Sequence, residues 1–291
     1  MQRYALAFMM TLIQIGLSAQ TLEELLASEA VPPTQYVYST FQSTRLINGH
    51  TIEKMPENEL DFRVSHRFGA LNGGIYDFFG LDYAQTHLSL EYGINRWLMV
   101  GIGRSSFEKT ADGFAKLSLL RQTSGERSVP FHLSLILSAE AYGLKPFDGI
   151  ERDLSSRMTY VQQLLIARKF SPGFSFQLMP THIYRNLPPS PDEAHALFAL
   201  GIGASGSISP RMAVNIEYYP VIREETAFLG SRYRNPLSIG LDIETGGHVF
   251  QLLLSNARSL REGSFIGRTT GDWMNGDIHF GFNISRVFSF N

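Results

Sequence analysis

The sequence predicts an all-β fold, an antiparallel up-and-down transmembrane β-barrel of about twelve strands with a short N-terminal periplasmic segment. From residue 59 onward, apolar and polar residues alternate with a period of two, which places one strand face in an apolar medium. The alternating segments exceed the ~5–6 residues typical of soluble sheets and approach the ~9–11 needed to cross a membrane. Short and long connections alternate along the chain, as in barrels with short turns on one side and loops on the other.

The alternation is clear in the first segment, where Phe62 and Val64 alternate with Asp61 and Arg63. It is weak in the fourth and sixth segments, so their facing is open. The predicted segments are 59–69, 81–93, 97–106, 113–123, 130–141, 158–170, 174–184, 195–206, 212–221, 236–244, 248–257 and 277–288. An even number of strands returns both chain ends to the same side, which we expect to be periplasmic.

The N-terminus has the pattern of a secretory signal peptide. Arg3 supplies the positive charge, residues 4–17 are largely apolar, and Ser18 and Ala19 are small. The alternative is an N-terminal helix of a soluble protein. The predicted organisation is a signal peptide over 1–19, a periplasmic or plug segment over 20–58 and an outer-membrane barrel over 59–291.

Composition narrows the class of protein. Lys plus Arg total 25 and Asp plus Glu total 27, so the chain lacks the basic excess of a nucleic-acid binder. There is no cysteine, which removes disulfides and thiolate metal sites. We predict no catalytic residues, no cofactor and no metal.

The inward strand face carries charged residues of both signs, which favours a salt-bridged lumen over a wide pore. Small inward residues such as Gly101, Gly103, Gly201 and Gly203 favour either space for a plug or a real passage. The lumen and constriction candidates are Arg63, Arg67, His87, Glu91, Glu140, Glu217 and Asp242.

The densest polar cluster precedes and enters the first strand. One interpretation is a plug carrying Arg45, Asn48 and His50, which folds into the lumen and pairs with Arg63 and Arg67. Ordinary packing at the periplasmic rim is an equal alternative.

The sequence contains only weak matches to known catalytic or cofactor-binding motifs. Residues 201–206 match G-x-G-x-x-G, but they lie inside a predicted strand and not between a strand and a helix. The eight histidines are scattered. Ser134 and His132 share a face, but the chain lacks the His-Asp-Ser-Asn-Gly motif of outer-membrane phospholipase A.

Four stretches together resemble a family of uncharacterised outer-membrane β-barrels from Bacteroidota: 40–50 (TFQSTRLINGH), 60–69 (LDFRVSHRFG), 101–106 (GIGRSS) and 281–288 (GFNISRVF). The resemblance covers nearly all of the mature chain. It implies location and architecture and no reaction. The aromatic ending at Phe288 and Phe290 is similar to the signal that the barrel-insertion machinery reads, so we expect that machinery and outer-membrane lipid as partners.

These observations predict a narrow or plugged channel, or a transport-related barrel, for small solutes that the sequence does not identify. The first alternative is a non-conducting structural or interaction barrel that acts through its outer loops, such as 258–276. The second is a lipid-acting outer-membrane enzyme. A soluble all-β protein is the rival at the level of the fold.

Overall fold

The structure is a computed structural model that describes residues 32–145, 149–223 and 232–290. The predicted signal peptide, residues 20–31 and Asn291 lie outside the described residues.

Across the described residues, twelve long antiparallel strands form one closed barrel, as the alternation predicted. The predicted and observed segments differ by at most a few residues at their ends. The strands are β1 (Glu59–Ala70), β2 (Ala84–Gly93), β3 (Leu98–Ser105), β4 (Ala111–Leu120), β5 (His132–Ala141), β6 (Met158–Ser171), β7 (Phe174–Arg185), β8 (Ala196–Ser209), β9 (Met212–Tyr218), β10 (Leu237–Glu244), β11 (His248–Ser255) and β12 (His279–Ser289).

Each strand pairs with the next in the chain, and the last pairs with the first. At the seam between β12 and β1, Ile284 lies opposite Val64. This pairing removes both free edges of the sheet, so every strand can satisfy its backbone hydrogen bonds without water.

The side chains alternate between lumen and exterior. In β1, Arg63 and Arg67 are buried, while Phe62 is exposed. Exposed Leu88 and Leu90 continue the apolar exterior on β2. Exposed aromatic side chains lie near the strand ends, where membrane proteins place them at the lipid–water interface: Trp97, Phe170, Phe174, Tyr184, Tyr218, Phe288 and Phe290.

The connections define two ends. The short-turn end holds the links 94–97, 172–173, 210–211 and 245–247 together with the longer link 121–131, and the long-loop end holds the others. The predicted alternation of short and long links is wrong on either side of β4, because 121–131 has eleven residues whereas 106–110, at the long-loop end, has five. Both described chain ends lie at the short-turn end. The two-residue strand Gln35–Tyr36 pairs with Thr123–Ser124 in the link after β4, and the Phe290 amide donates to the Asn58 carbonyl at 2.9 Å.

Among the described residues, no helix is long and apolar enough to cross a membrane. The α-helix Glu262–Phe265 is short and buried, in the connection between β11 and β12.

Candidate functional site in the barrel lumen

Residues 40–56 lie inside the barrel, and we call them the inserted segment. Nearly every residue from Thr40 to Ile52 is buried. A tight turn at 46–49 forms the tip: the Leu46 amide donates to the Gly49 carbonyl at 2.9 Å, and the Thr51 amide donates to the Thr44 carbonyl at 3.0 Å. Gly49 is required here by close packing, because a Cβ at this position would overlap the Tyr219 hydroxyl.

Glu217 on β9 anchors the tip of the inserted segment. Its carboxylate accepts hydrogen bonds from the Asn48 backbone amide at 2.9 Å, the Asn48 side-chain amide at 2.7 Å and the Gly49 amide at 3.1 Å. Arg67 donates to the Asn48 side-chain oxygen at 2.8 Å. The side chain of Asn48 is therefore held by an anion on β9 and a cation on β1.

Side-chain amides on three strands contact the backbone of the inserted segment. Gln251 donates to the carbonyls of Arg45 and Leu46, both at 3.1 Å. Asn283 donates to the Ile47 carbonyl at 3.0 Å. Gln177 donates to the His50 carbonyl at 2.8 Å and accepts from the Ile52 amide at 3.0 Å. These contacts replace the water that these buried backbone groups would otherwise need.

Charged groups secure the flanks of the inserted segment. Arg63 donates to the hydroxyls of Ser43 and Thr44 at 3.1 and 2.8 Å. It also pairs with Asp61 at 2.9 Å. The Lys116 ammonium donates to the Glu53 carbonyl at 2.6 Å. Because these groups are nearly fully buried, removal of one partner would leave the other uncompensated in a poorly solvated site.

A second element enters the lumen from the long-loop end, residues 256–271, which we call the inward loop. The Gly263 amide donates to the Glu140 carboxylate at 2.8 Å. Arg261 pairs with Asp112 at 2.8 Å, and His87 contacts the other Asp112 oxygen at 2.8 Å. The loop is thus held by side chains of β2, β4 and β5.

The two inserted elements meet at a buried ion pair. Arg45 of the inserted segment contacts Glu262 of the inward loop at 2.5 Å and Glu91 of β2 at 3.5 Å. The His50 ring lies 3.6 Å from Glu262, and among the described residues neither ring nitrogen has a hydrogen-bond partner. Burial, together with nearby cations of which Arg45 has the largest effect, holds the pKa of His50 well below its ordinary value.

The opposite side of the lumen is apolar. Inward apolar side chains of β3 to β8, together with Tyr219 just after β9, form one cluster with Leu46 and Ile52 of the inserted segment and Phe265 of the inward loop. Glycines make the room: a Cβ at position 203 would overlap Leu46, and a Cβ at position 201 would overlap Tyr219. The G-x-G-x-x-G match therefore lies in β8 and provides packing space, not a phosphate-binding turn.

Cavities lie on both sides of the inserted elements. Those at the short-turn end measure about 400 and 550 Å³, and those at the long-loop end about 480 and 350 Å³. The two sets share no lining residue. The Arg45–Glu262 pair lies in the packed region between them.

The structure brings most of the predicted residues together. Arg45, Asn48 and His50 lie in the inserted segment, and the inward residues Arg63, Arg67, Glu91 and Glu217 contact it or its ion pairs. His87 and Glu140 instead help to hold the inward loop. Asp242 accepts a hydrogen bond from Gln251 at 2.9 Å and so supports one of the side chains that contact the segment.

Sequence reasoning missed several contacts of the lumen. Gln251 and Asn283 occupy inward positions in clearly alternating strands, so their facing was available from the pattern. Lys116 lies in the weakly alternating fourth segment, which hid its inward direction. The prediction that 258–276 forms an outer loop is wrong for its first half, because residues 259–267 are buried in the lumen.

The Ser134 and His132 pair has no hydrolase geometry. The His132 ring contacts the Thr40 hydroxyl at 3.1 Å and accepts from the Gln122 amide at 3.3 Å. Both of its nitrogens are therefore engaged by groups other than Ser134. Among the described residues, no group of three or more His, Cys, Asp or Glu side chains could hold a metal ion.

The family described as a membrane bound beta barrel domain (DUF5777) matches residues 41–288. The chain belongs to this family. The family resemblance predicted from the sequence is confirmed, while an origin in Bacteroidota stays a prediction. The match begins at Phe41, so this membrane-bound barrel domain includes the inserted segment as well as the strands.

The chain is also similar to solved membrane barrels. The NanC porin (TM-score 0.49, 10% identity) and the KdgM porin (TM-score 0.45, 10% identity) each align over 80% of this chain and 99% of theirs. Acinetobacter baumannii outer membrane protein Omp33 aligns over the same shares, with a TM-score of 0.41 and 8% identity. At such low identity the likeness extends to barrel architecture alone. No curated protein matches the chain in sequence.

Proposed function

We propose that this protein is an outer-membrane channel for small solutes, closed by the inserted segment and opened when that segment leaves the lumen. The observation that carries the proposal is the set of polar contacts around Asn48. Side chains of β1, β9 and β10 converge on this one residue. We place the short-turn end and both chain ends in the periplasm, as in barrels whose short turns are periplasmic.

The chemistry of the lumen wall favours a segment that can be exchanged for water. Glu217, Gln177, Gln251 and Asn283 are polar groups that water can solvate when the segment is out. If the lumen were lined only by apolar side chains, filling it with water would cost much free energy. A polar wall lowers that penalty and leaves a surface suited to polar solutes.

A non-conducting barrel is the second candidate, and the apolar side of the lumen favours it. There Met99, Leu165, Met179 and Ile183 are each fully buried, and with Phe265 they resemble the core of a soluble protein. In such a barrel the inserted segment would be a permanent part of the core.

Single-channel conductance in planar bilayers separates the two candidates. Arg45→Ala removes the link between the inserted segment and the inward loop, and it takes from the buried Glu262 its nearest cation. We expect the variant to open more often than the wild type. Arg211→Ala is the matched control, because Arg211 is exposed in the turn between β8 and β9. If Arg45→Ala folds as a barrel and stays as silent as the control, the channel proposal fails.

A further inference from the structure

The connection between β1 and β2, residues 71–83, exposes an unusual amount of apolar surface at the long-loop end. Ile75 and Tyr76 are 83% and 93% exposed. Isolated exposed apolar residues are normal, but a contiguous group marks a surface that another apolar medium covers. The exposed apolar side chains of this loop are Ile75, Tyr76, Phe78, Phe79, Leu81 and Tyr83.

The loop is ordered, so its exposure does not come from a missing fold. The Phe79 amide donates to the Gly74 carbonyl at 2.7 Å, and the Leu81 amide donates to the Phe78 carbonyl at 3.1 Å. The Asn72 side chain donates to Asp277 at 2.6 Å, which fixes the loop to the connection before β12. A defined backbone therefore presents the apolar side chains.

Two consecutive phenylalanines hold a disfavoured backbone conformation. Phe78 has φ of 46° and Phe79 has φ of 53°, in the left-handed region that bulky residues rarely adopt. Strain of this kind persists where the surrounding structure imposes it, and it clusters at sites with a role. Here the strained backbone does not bury the rings of Phe78 and Phe79, which remain 59% and 50% exposed.

The loop continues the apolar exterior at the barrel seam. On the outer face of β1 and β12, His66 stacks on Phe282 with centroids 5.1 Å apart, and Phe68 stacks on Phe280 at 5.8 Å. The apolar loop begins just beyond Phe68. The Gly69 amide donates to the Tyr83 carbonyl at 2.9 Å, so both ends of the loop join the barrel beside this aromatic surface.

The length of β1 places the loop at the edge of the hydrocarbon layer. β1 has 12 residues. A rise of ~3.3 Å per residue and a tilt of ~40° give roughly 28 Å along the membrane normal. The apolar band of outer-membrane barrels is ~25 Å tall. Residues 71–83 thus start where acyl chains give way to headgroups, the depth that Tyr and other aromatic rings prefer.

We propose that residues 71–83 form a membrane-interface anchor that lies against the lipid leaflet beside the β12–β1 seam. Ile75, Tyr76, Phe78 and Phe79 enter the boundary between headgroups and acyl chains. The loop contains Asp77 and Asp82 but no Lys or Arg. Apolar burial, and not attraction to anionic headgroups, therefore drives the contact.

The absence of cysteine allows a direct test with single nitroxide labels. Tyr76→Cys and Phe79→Cys place labels in the loop, and Asp192→Cys places a control in another exposed connection at the same end. Each protein is reconstituted in phosphatidylcholine vesicles, with its fold checked by heat-dependent gel mobility. Collision with oxygen, which concentrates in lipid, is compared with collision with a water-soluble nickel chelate.

We expect the oxygen-to-nickel accessibility ratio to be several-fold higher at positions 76 and 79 than at position 192. Addition of phosphatidylglycerol should leave the ratios unchanged. Nickel accessibility equal to that of the control would place the loop in water and overturn the proposal. Shielding from both reagents, with spin–spin broadening that unlabelled protein removes, would indicate a second copy of the chain and would also overturn it.

Discussion

Glu217→Ala is the substitution from which we expect the largest effect on lumen closure. Three hydrogen bonds from Asn48 and Gly49 end on this one carboxylate. Hydrogen bonds to charged groups contribute about 1.5–3 kcal/mol each, and truncation of a buried partner also leaves the donors unsatisfied. The carboxylate itself is buried at some cost, so we take a net loss of about 3 kcal/mol, near the lower end of the range for broken buried pairs.

A loss of about 3 kcal/mol shifts an equilibrium by roughly 100-fold, since 1.4 kcal/mol is a factor of ten. The released fraction of the inserted segment should rise by that factor. Glu217→Gln keeps one acceptor oxygen but places an amide beside the Gly49 N–H, so we expect a smaller rise. Glu244→Ala is the control, because Glu244 lies exposed at the end of β10.

The assay is the labelling rate of a single thiol introduced by Ile47→Cys, in a chain that has no other cysteine. Ile47 is 2% exposed, so reagent reaches it only after the segment moves. Open probability in planar bilayers is the second readout. Equal labelling rates in Glu217→Ala and Glu244→Ala, with both barrels folded, would mean that Glu217 does not hold the segment in the lumen.

Further predictions concern the flank, the pH response and the packing of the inserted segment. Arg63→Ala removes the donor to Ser43 and Thr44 and should raise conductance or leakiness in bilayers; an unchanged pore would count against a constriction there. In the inserted state, the pKa of His50 lies well below its ordinary value of about 6.5. The released state therefore binds more protons below about pH 6.5, and the inserted state loses stability as the pH falls. Ile47→Cys labelling should therefore accelerate on acidification, and less so when His50→Gln is added; an identical pH response in both would exclude His50 as its source. Gly203→Val should clash with Leu46 and speed labelling several-fold, whereas Gly206→Val, at a position with open space, should not.

The strands could be predicted because their signal is local. Alternation in β1 or β12 depends only on neighbouring residues and on which medium each face meets. The weak alternation of the fourth and sixth segments has a physical reason, since the inserted elements give the lumen both a polar and an apolar side. Inward positions therefore hold both residue types, Phe114 and Lys116 on β4 and Gln163 and Leu165 on β6.

The contacts of the inserted segment could be predicted only in part. The cluster of Arg45, Asn48 and His50 is visible in the sequence, but the sequence does not decide between a plug and ordinary packing at the periplasmic rim. Asn48 and Glu217 are 169 residues apart, and their pairing follows from barrel closure. Nothing in the local pattern distinguishes the inward loop from an exposed one, because Glu262 acquires its partner Arg45 only across the lumen.

A disulfide between positions 46 and 203 would show whether the inserted segment must leave the lumen for the channel to open. The Leu46 side chain lies against Gly203, so Leu46→Cys with Gly203→Cys would tether the inserted segment to β8. We expect few or no openings in planar bilayers when the pair is oxidised, and frequent openings after reduction, with each single-cysteine variant indifferent to the reductant. Equal conductance in the oxidised and reduced states, with the disulfide confirmed, would contradict closure of the channel by this segment.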